Sequence, residues 1–279
     1  MRLSLATVLA AAAITLQASE PAPVRPVLSA YTVHAGSAHI AETYLSPLKY
    51  SGQAFGLGYE RMQAMKFNPE HWVQTLDLGL DFARTLNPAR NATTWQLMLE
   101  GAWSMTHRWK LHGGWSLYAG GNADLQLGVL YNRRNSNNPA AAKAAFTIGA
   151  TVAAARSMRL GSLPVTFRYR LRMPLSGMFF SPQYGELYYE IYLGNRSGLV
   201  RAAWPGNFLR LDNLLSADLH FGATTLRLGY RLDYSSSKAS HIVTRRLSHC
   251  AVVGITCEWI SLGAGSRVTP ALKTINALY

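Results

Sequence analysis

Apolar and polar residues alternate with a period of two along nearly the whole chain beyond residue 18. In TLDLGLDFAR, Leu76, Leu78, Leu80 and Phe82 fall on one face and Asp77, Gly79 and Asp81 on the other. TFRYRLRM sets Phe167, Tyr169, Leu171 and Met173 against Arg168, Arg170 and Arg172, and LRLGYRLDY sets Leu226, Leu228, Tyr230, Leu232 and Tyr234 against Arg227, Arg231 and Asp233. WSLYAGGNADLQLGVLY keeps one parity from Trp115 to Tyr131. Successive side chains of a β-strand point to opposite faces, so this period predicts an all-β protein.

Two architectures share that period: a soluble sandwich with its apolar face in a core, and a membrane barrel with its apolar face in lipid. Strand length separates them. Soluble strands run about 5–6 residues, whereas a tilted membrane-crossing strand needs about 9–11, and several segments here hold their parity that long. Trp72, Trp95, Trp103, Trp115, Tyr131, Tyr234 and Trp259 all lie on the apolar parity, several near strand ends, as interfacial girdles require. The expected fold is therefore an antiparallel transmembrane β-barrel of about twelve strands: 29–40, 50–66, 71–86, 92–107, 113–131, 140–157, 162–174, 186–194, 198–204, 208–221, 224–234 and 242–262. The eighth and ninth are short, which puts the count between ten and fourteen.

The connections follow an order of their own. NPEH, WKLHG, RLGS, NRSG and GAT, at alternate hairpins, are short, while NRRNSNNPA (132–140) and LSGMFFSPQYG (175–185) are longer. Short periplasmic turns and longer outer loops are the expected asymmetry. MRLSLATVLAAAAITLQASEP has Arg2, an apolar run and small residues near Ala18, which is the layout of a cleaved signal peptide over 1–18. Residues 19–279 then form one barrel domain in a bacterial outer membrane. Its tail, 263–279, is expected either in the periplasm or as the last strand. No later apolar stretch is long enough for a transmembrane helix.

A net charge of +13 and a pI near 10 would suggest nucleic acid in a cytosolic protein. An exported protein meets lipid phosphates instead, and a basic set of 21 Arg against 6 Lys suits them. The partners expected are outer-membrane lipid and lipopolysaccharide, and no nucleic acid. Cys250 and Cys257 fall on opposite faces of one strand, roughly 23 Å apart, so no disulfide joins them. Neither has companions at metal-ligand spacing, and no metal or other cofactor is expected.

Parity places Glu60, Asp77, Asp81, Glu100, Asp124, Glu190, Asp218, Asp233 and Glu258 inside, with Arg168, Arg170, Arg172, Arg227, Arg231, His220, Tyr188 and Tyr192. A lumen plugged by ion pairs follows. The strip Arg168, Arg170, Arg172 is either paired with these acids or an anion-binding surface. Arg133/Arg134 and Arg245/Arg246, near outer loops, are either solvated charge or clamps for lipopolysaccharide phosphates.

Catalytic chemistry has thin support. His34, Ser37 and His39 in VHAGSAH are the candidates for a hydrolase, but same-face neighbours on one strand sit about 6.5–7 Å apart, too far for a base to reach a hydroxyl. The His-x-Ser and Asn-Gly pattern of outer-membrane phospholipases is missing, and in SHC, Ser248 and His249 point to opposite sides. The reading favours a non-enzymatic structural, lipid-binding or small-solute role. A rim-located, phospholipase-like hydrolase and a narrow pore are the alternatives.

AETYLSPLKYSG (41–52), YGELYYEIYLGN and LRLGYRLDY together resemble a family of uncharacterised Bacteroidetes outer-membrane barrels, in which a Thr-Tyr-Leu-Ser-Pro-Leu-x-Tyr-x-Gly stretch near the mature N-terminus is typical. The resemblance implies export and a barrel; it brings no activity. Pro47 cannot donate to a strand ladder and Gly52 relaxes the backbone, so Tyr44, Leu45, Ser46, Pro47, Tyr50 and Gly52 are expected to form the first outer loop. Its apolar content predicts a small packed lid, with Tyr44 and Tyr50 against the barrel wall.

Overall fold

A computed structural model describes residues 23–222, 224–260 and 273–278. It contains β1 (Val27–Glu42), β2 (Ser46–Ala64), β3 (Trp72–Leu86), β4 (Thr93–Lys110), β5 (Trp115–Asn132), β6 (Ala140–Leu160), β7 (Leu163–Phe180), the short helix α1 (Tyr188–Tyr192), β8 (Val200–Ala203), β9 (Phe208–Phe221), β10 (Thr224–Ala239) and β11 (Ile242–Trp259). Pairing runs β6-β5-β4-β3-β2-β1-β11-β10-β9-β7 and β6–β7 closes it, so ten antiparallel strands form a barrel and β8 lies outside. Closure gives every barrel strand a partner on both sides, which no open sheet does. The expected signal segment, 1–18, lies outside the described residues.

The pairing register sets the tilt. Traced from Ser37 through Gln53, Arg84, Trp95 and Tyr131, the row reaches β6 at Ala140. Traced the other way through His249, Leu232, Asn213 and Leu171, it reaches β6 at Val152, twelve residues from Ala140. That stagger corresponds to strands tilted by roughly 40°.

The wall is inverted relative to a soluble protein. Leu57, Leu99, Ile148, Leu215 and Ile255 point outward and are half exposed, while Arg168, Asp212, Asp218 and Arg227 point inward and are buried. A continuous apolar belt with charges inside is the arrangement lipid selects.

Residues 186–194 do not form a strand. Leu187, Tyr188, Ile191 and Tyr192 recur at helical spacing, and the Glu190 carboxylate accepts the Leu187 N–H at 2.9 Å at the first turn, so the segment winds into α1. Glu190, Tyr188 and Tyr192 therefore leave the inward set assigned by alternation. NRSG is part of the same excursion rather than a periplasmic turn. β8 is real but pairs only with the upper part of β7, Val200–Ala203 against Phe180–Gly177, above the point where β9 joins β7 at Asp212–Arg172.

Both ends of the barrel are filled. At the end holding the termini, residues 273–278 are neither a free tail nor a barrel strand. Thr274 makes one bridge to Val24, and Ala277 and Leu278 are buried among Leu28, Met62, Val73, Tyr118 and Ala155. Arg108, itself buried, donates to the carbonyls of Asn276 (2.5 Å) and Ala277 (3.0 Å) and to that of Glu70 (2.8 Å). Tyr118 Oη donates to Ala277 O at 3.1 Å.

At the far end the link between β1 and β2 is only Thr43–Leu45. Ser46, Pro47, Tyr50 and Gly52 belong to β2, so the expected loop is a hairpin tip. The tip bends inward. Leu45 packs on Ile40, Ala54, Ala83, Leu130 and Ala141, and Asn135 Nδ2 donates to Leu45 O at 3.2 Å.

Candidate functional site

The lumen holds one connected set of charges, because β2, β3, β4, β7, β9 and β10 each turn their polar parity inward. Glu60 accepts from Arg168 Nη1 at 2.7 Å, Arg227 Nη1 at 2.9 Å and Arg170 Nη1 at 2.9 Å. Asp77 accepts from Arg170 at 2.5 Å and Arg172 at 3.2 Å, and Asp212 takes Arg172 and, at 3.1 Å, Arg231 Nε. Asp218 is bidentate with Arg227 at 2.7 and 2.8 Å. Glu100 and Asp233 share Arg210 at 2.6 and 2.5 Å. Forked guanidinium groups suit such shared pairing, and a buried carboxylate needs it.

Every guanidinium of the Arg168, Arg170, Arg172 strip is thus engaged by a carboxylate, which is the paired reading rather than an anion-binding one. Asp212, Arg210 and Glu42, which parity did not single out, join the inward set. Glu42, near the far mouth, pairs with Lys143 and accepts from Thr244 Oγ1 at 2.7 Å. Among the lumen ion pairs a space of about 70 Å³ is left beside Glu60, Asp77, Arg170 and Arg231. That is room for a small cluster of water molecules.

The three hydrolase candidates do not converge. His34 faces the lumen and its Nε2 meets Asp81 Oδ1 at 2.6 Å. Its ring lies over Gly56, where a Cβ would come within 2.2 Å of Nε2, so only glycine fits there. Ser37 and His39 face outward on the same strand. His39 Nδ1 is bonded to Ser51 Oγ on β2 at 2.9 Å instead of to Ser37. Next to it, His249 Nδ1 meets Tyr230 Oη at 2.7 Å, and the His39 and His249 rings touch edge-on at 6.3 Å. Cross-strand neighbours, closer than same-strand ones, explain the exchange of partner. The period alone could not name Ser51, because the register between β1 and β2 is needed.

The two Arg pairs separate. Arg133 and Arg134 are both exposed in the β5–β6 loop. Arg245 is exposed on the outer wall, but Arg246, one residue on, points into the lumen, where Nε donates to Ser235 Oγ at 3.0 Å. On the outer wall Arg245 has Lys49 as company, since both pair with Ala41, from β11 and β2.

Charge is sorted between the faces. Glu42, Glu60, Asp77, Asp81, Glu100, Asp124, Asp212, Asp218, Asp233 and Glu258 all occupy inward positions, and among the described strand residues no acid points outward. The outward charges are Lys49, Arg61, Arg84, Arg156, Lys238 and Arg245. The described outer wall of the strands therefore carries only positive charge, around a lumen whose charges largely cancel.

At the far mouth Tyr44 Oη donates to Glu186 O at 2.6 Å and its ring meets Tyr188 edge-on at 5.9 Å. Burial, reinforced by Tyr188 and Glu186, pushes the Tyr44 phenol well above its ordinary range. Burial likewise raises Tyr188. Tyr50 is buried and accepts from Asn132 Nδ2 at 2.9 Å while donating to Ser46 Oγ at 3.2 Å. Among the described residues no group of three or more His, Cys, Asp and Glu could hold a metal. Cys250 is buried on the inward face, Cys257 half-buried on the outward face, and both are free thiols.

A closed, charge-filled antiparallel barrel with an apolar exterior defines an outer-membrane-barrel-like fold. The family model described as "Protein of unknown function (DUF3316)" matches residues 1–265, and the chain belongs to that family. No curated protein matches it. Among solved structures, the outer membrane protease OmpT from Escherichia coli is similar over 86% of this chain and 98% of that one, at 5% identity and a TM-score of 0.40. The β-domain of the Bordetella autotransporter BrkA is similar over 85% and 100%, at 11% identity and a TM-score of 0.40. An outer membrane channel from Pseudomonas putida F1 is similar over 86% and 97%, at 9% identity and a TM-score of 0.35.

Proposed function

We propose that the chain is an integral protein of a bacterial outer membrane that passes no solute through its lumen and acts at its outer wall by binding anionic lipid, lipopolysaccharide included. The observation that carries this reading is the sorting of charge: acids inside and paired, cations outside on an apolar wall. Lipid phosphates are the anions such a wall meets, and arginine recognises them well. The filled lumen and both filled mouths argue against the narrow pore. Export by a signal cleaved after residue 18, and a Bacteroidetes membrane as its home, belong to the same reading.

Reconstitution into planar bilayers tests it. No unitary conductance is expected, and the protein should retain anionic lipid over zwitterionic lipid on purification. Steady channel steps would overturn the closed-barrel reading, and equal retention would overturn the lipid reading.

The His39–Ser51 contact of 2.9 Å favours one second reading, a lipid hydrolase at the rim with Ser51 rather than Ser37 as nucleophile. A base of this kind is ordinarily oriented by a third group, and no acid stands on that face among the described residues. Fatty-acid release from phospholipid that disappears in Ser51→Ala would establish the hydrolase.

A further inference from the structure

We propose that the outward face of β11, β1 and β2 at the far end is a specific site for the phosphate headgroup of a membrane lipid. This rests on the lipid-binding reading above and gives it a place and a ligand chemistry.

The site is a polar notch in the apolar belt. Once the climb of the strands is allowed for, the outward positions level with Ser37 are held on β3, β4, β5, β6 and β9 by Phe82, Leu99, Leu127, Phe146 and Leu209. On β1 the level carries Ser37, whose register partners Gln53 on β2 and His249 on β11 lie just above and just below it, with His39 and Ser51 higher still. Polar groups on the lipid face are costly in a depth-dependent way, so a polar cluster on these adjacent strands, with Arg84 of β3 beside Gln53, calls for a polar occupant there.

The chemistry of the notch selects the occupant. Each imidazole is anchored through Nδ1, His39 by Ser51 and His249 by Tyr230. Neither Nε2 has a hydrogen bond within the chain among the described residues. Above them, Lys49 and Arg245 flank the small side chain of Ala41 from the two neighbouring strands, with backbones about 10 Å apart, two strand spacings. That leaves a gap floored by alanine, walled by two cations and lined below by hydroxyl and imidazole groups. No outward carboxylate competes for them. A phosphate, with several acceptor oxygens and negative charge, satisfies all of these donors together. An occupant at this depth carries acyl chains, which the apolar belt below accepts.

Native mass spectrometry of the purified protein tests the site, with dioctanoyl phosphatidate and dioctanoylglycerol as probes that differ only in the phosphate. Phosphatidate should be retained and the glycerol not. Retention should weaken by about tenfold or more in the double variant His39→Ala with Arg245→Ala, and also in Lys49→Gln, an exposed change that threatens folding less. Glu70→Gln, on the exposed rim of the opposite end, should bind as the wild type does. A heat-modifiable shift in electrophoretic mobility verifies that each variant is folded. Undiminished phosphatidate binding in the notch variants overturns this site and leaves the lipid-binding reading standing. No preference for phosphatidate in the wild type overturns both. Displacement by millimolar inorganic phosphate alone would overturn the lipid as ligand.

Discussion

Replacing Glu60 by glutamine removes one negative charge from the most heavily shared position in the lumen. Its two oxygens accept from Arg168, Arg170 and Arg227 at 2.7–2.9 Å, and all four side chains are almost wholly buried. Glutamine has nearly the same shape but carries an NH2 where one oxygen stood, so a donor is forced against a guanidinium donor. Three arginines then share the neighbouring acids alone. Breaking a buried pair by neutralising one partner costs about 3–5 kcal/mol, because the opposite charge stays desolvated. Urea unfolding in detergent, followed by tryptophan fluorescence, reads this loss against the wild type. Glu70→Gln is the control: Glu70 is bonded to Lys273 at 2.5 Å on the exposed rim, where screening by water makes a pair nearly worthless, and its unfolding curve should barely move. If Glu60→Gln unfolds with Glu70→Gln and the wild type, the lumen network does not hold the barrel as argued.

Two further outcomes are expected. Arg108→Ala removes the donors to Asn276 O and Ala277 O and should let carboxypeptidase trim a tail that resists it in the wild type; equal resistance would show that the guanidinium does not hold the tail. Since the Tyr44 phenol is raised by burial, the packing it contributes is fully present below its unfolded value, about pH 10, and is lost as pH rises past that value toward its folded one. A spectrophotometric titration at pH 11 should therefore find as many ionised tyrosines in Tyr44→Phe as in the wild type, and one fewer in the variant would refute the burial argument.

The barrel, its inverted faces and most of the lumen charges could be read from the order of residues. A strand in lipid repeats its environment every second residue, so the face of Asp77, Arg170 or Arg227 follows from parity alone. Where that local rule stops applying, the reading fails. YGELYYEIYLGN carries both a strand period and a helical spacing, and the bond from the Leu187 N–H to Glu190 decides for the helix only once the segment lies outside the wall. The tail at 273–278 has weak alternation, and its burial depends on a socket assembled from β1, β2, β3, β5 and β6.

The notch is of the second kind throughout. Ser37 and His39 were visible as neighbours, but Ser51, His249 and Tyr230 come to them across strands, through a register set by the whole closed sheet. Likewise Arg245 and Arg246 are adjacent in sequence and part to opposite faces, while Arg245 and Lys49 are far apart in the chain and meet across Ala41. Period-two alternation assigns each side chain a face because that is a property of one strand. Which side chains share a level on that face depends on pairing, tilt and closure, and those exist only when ten strands are joined.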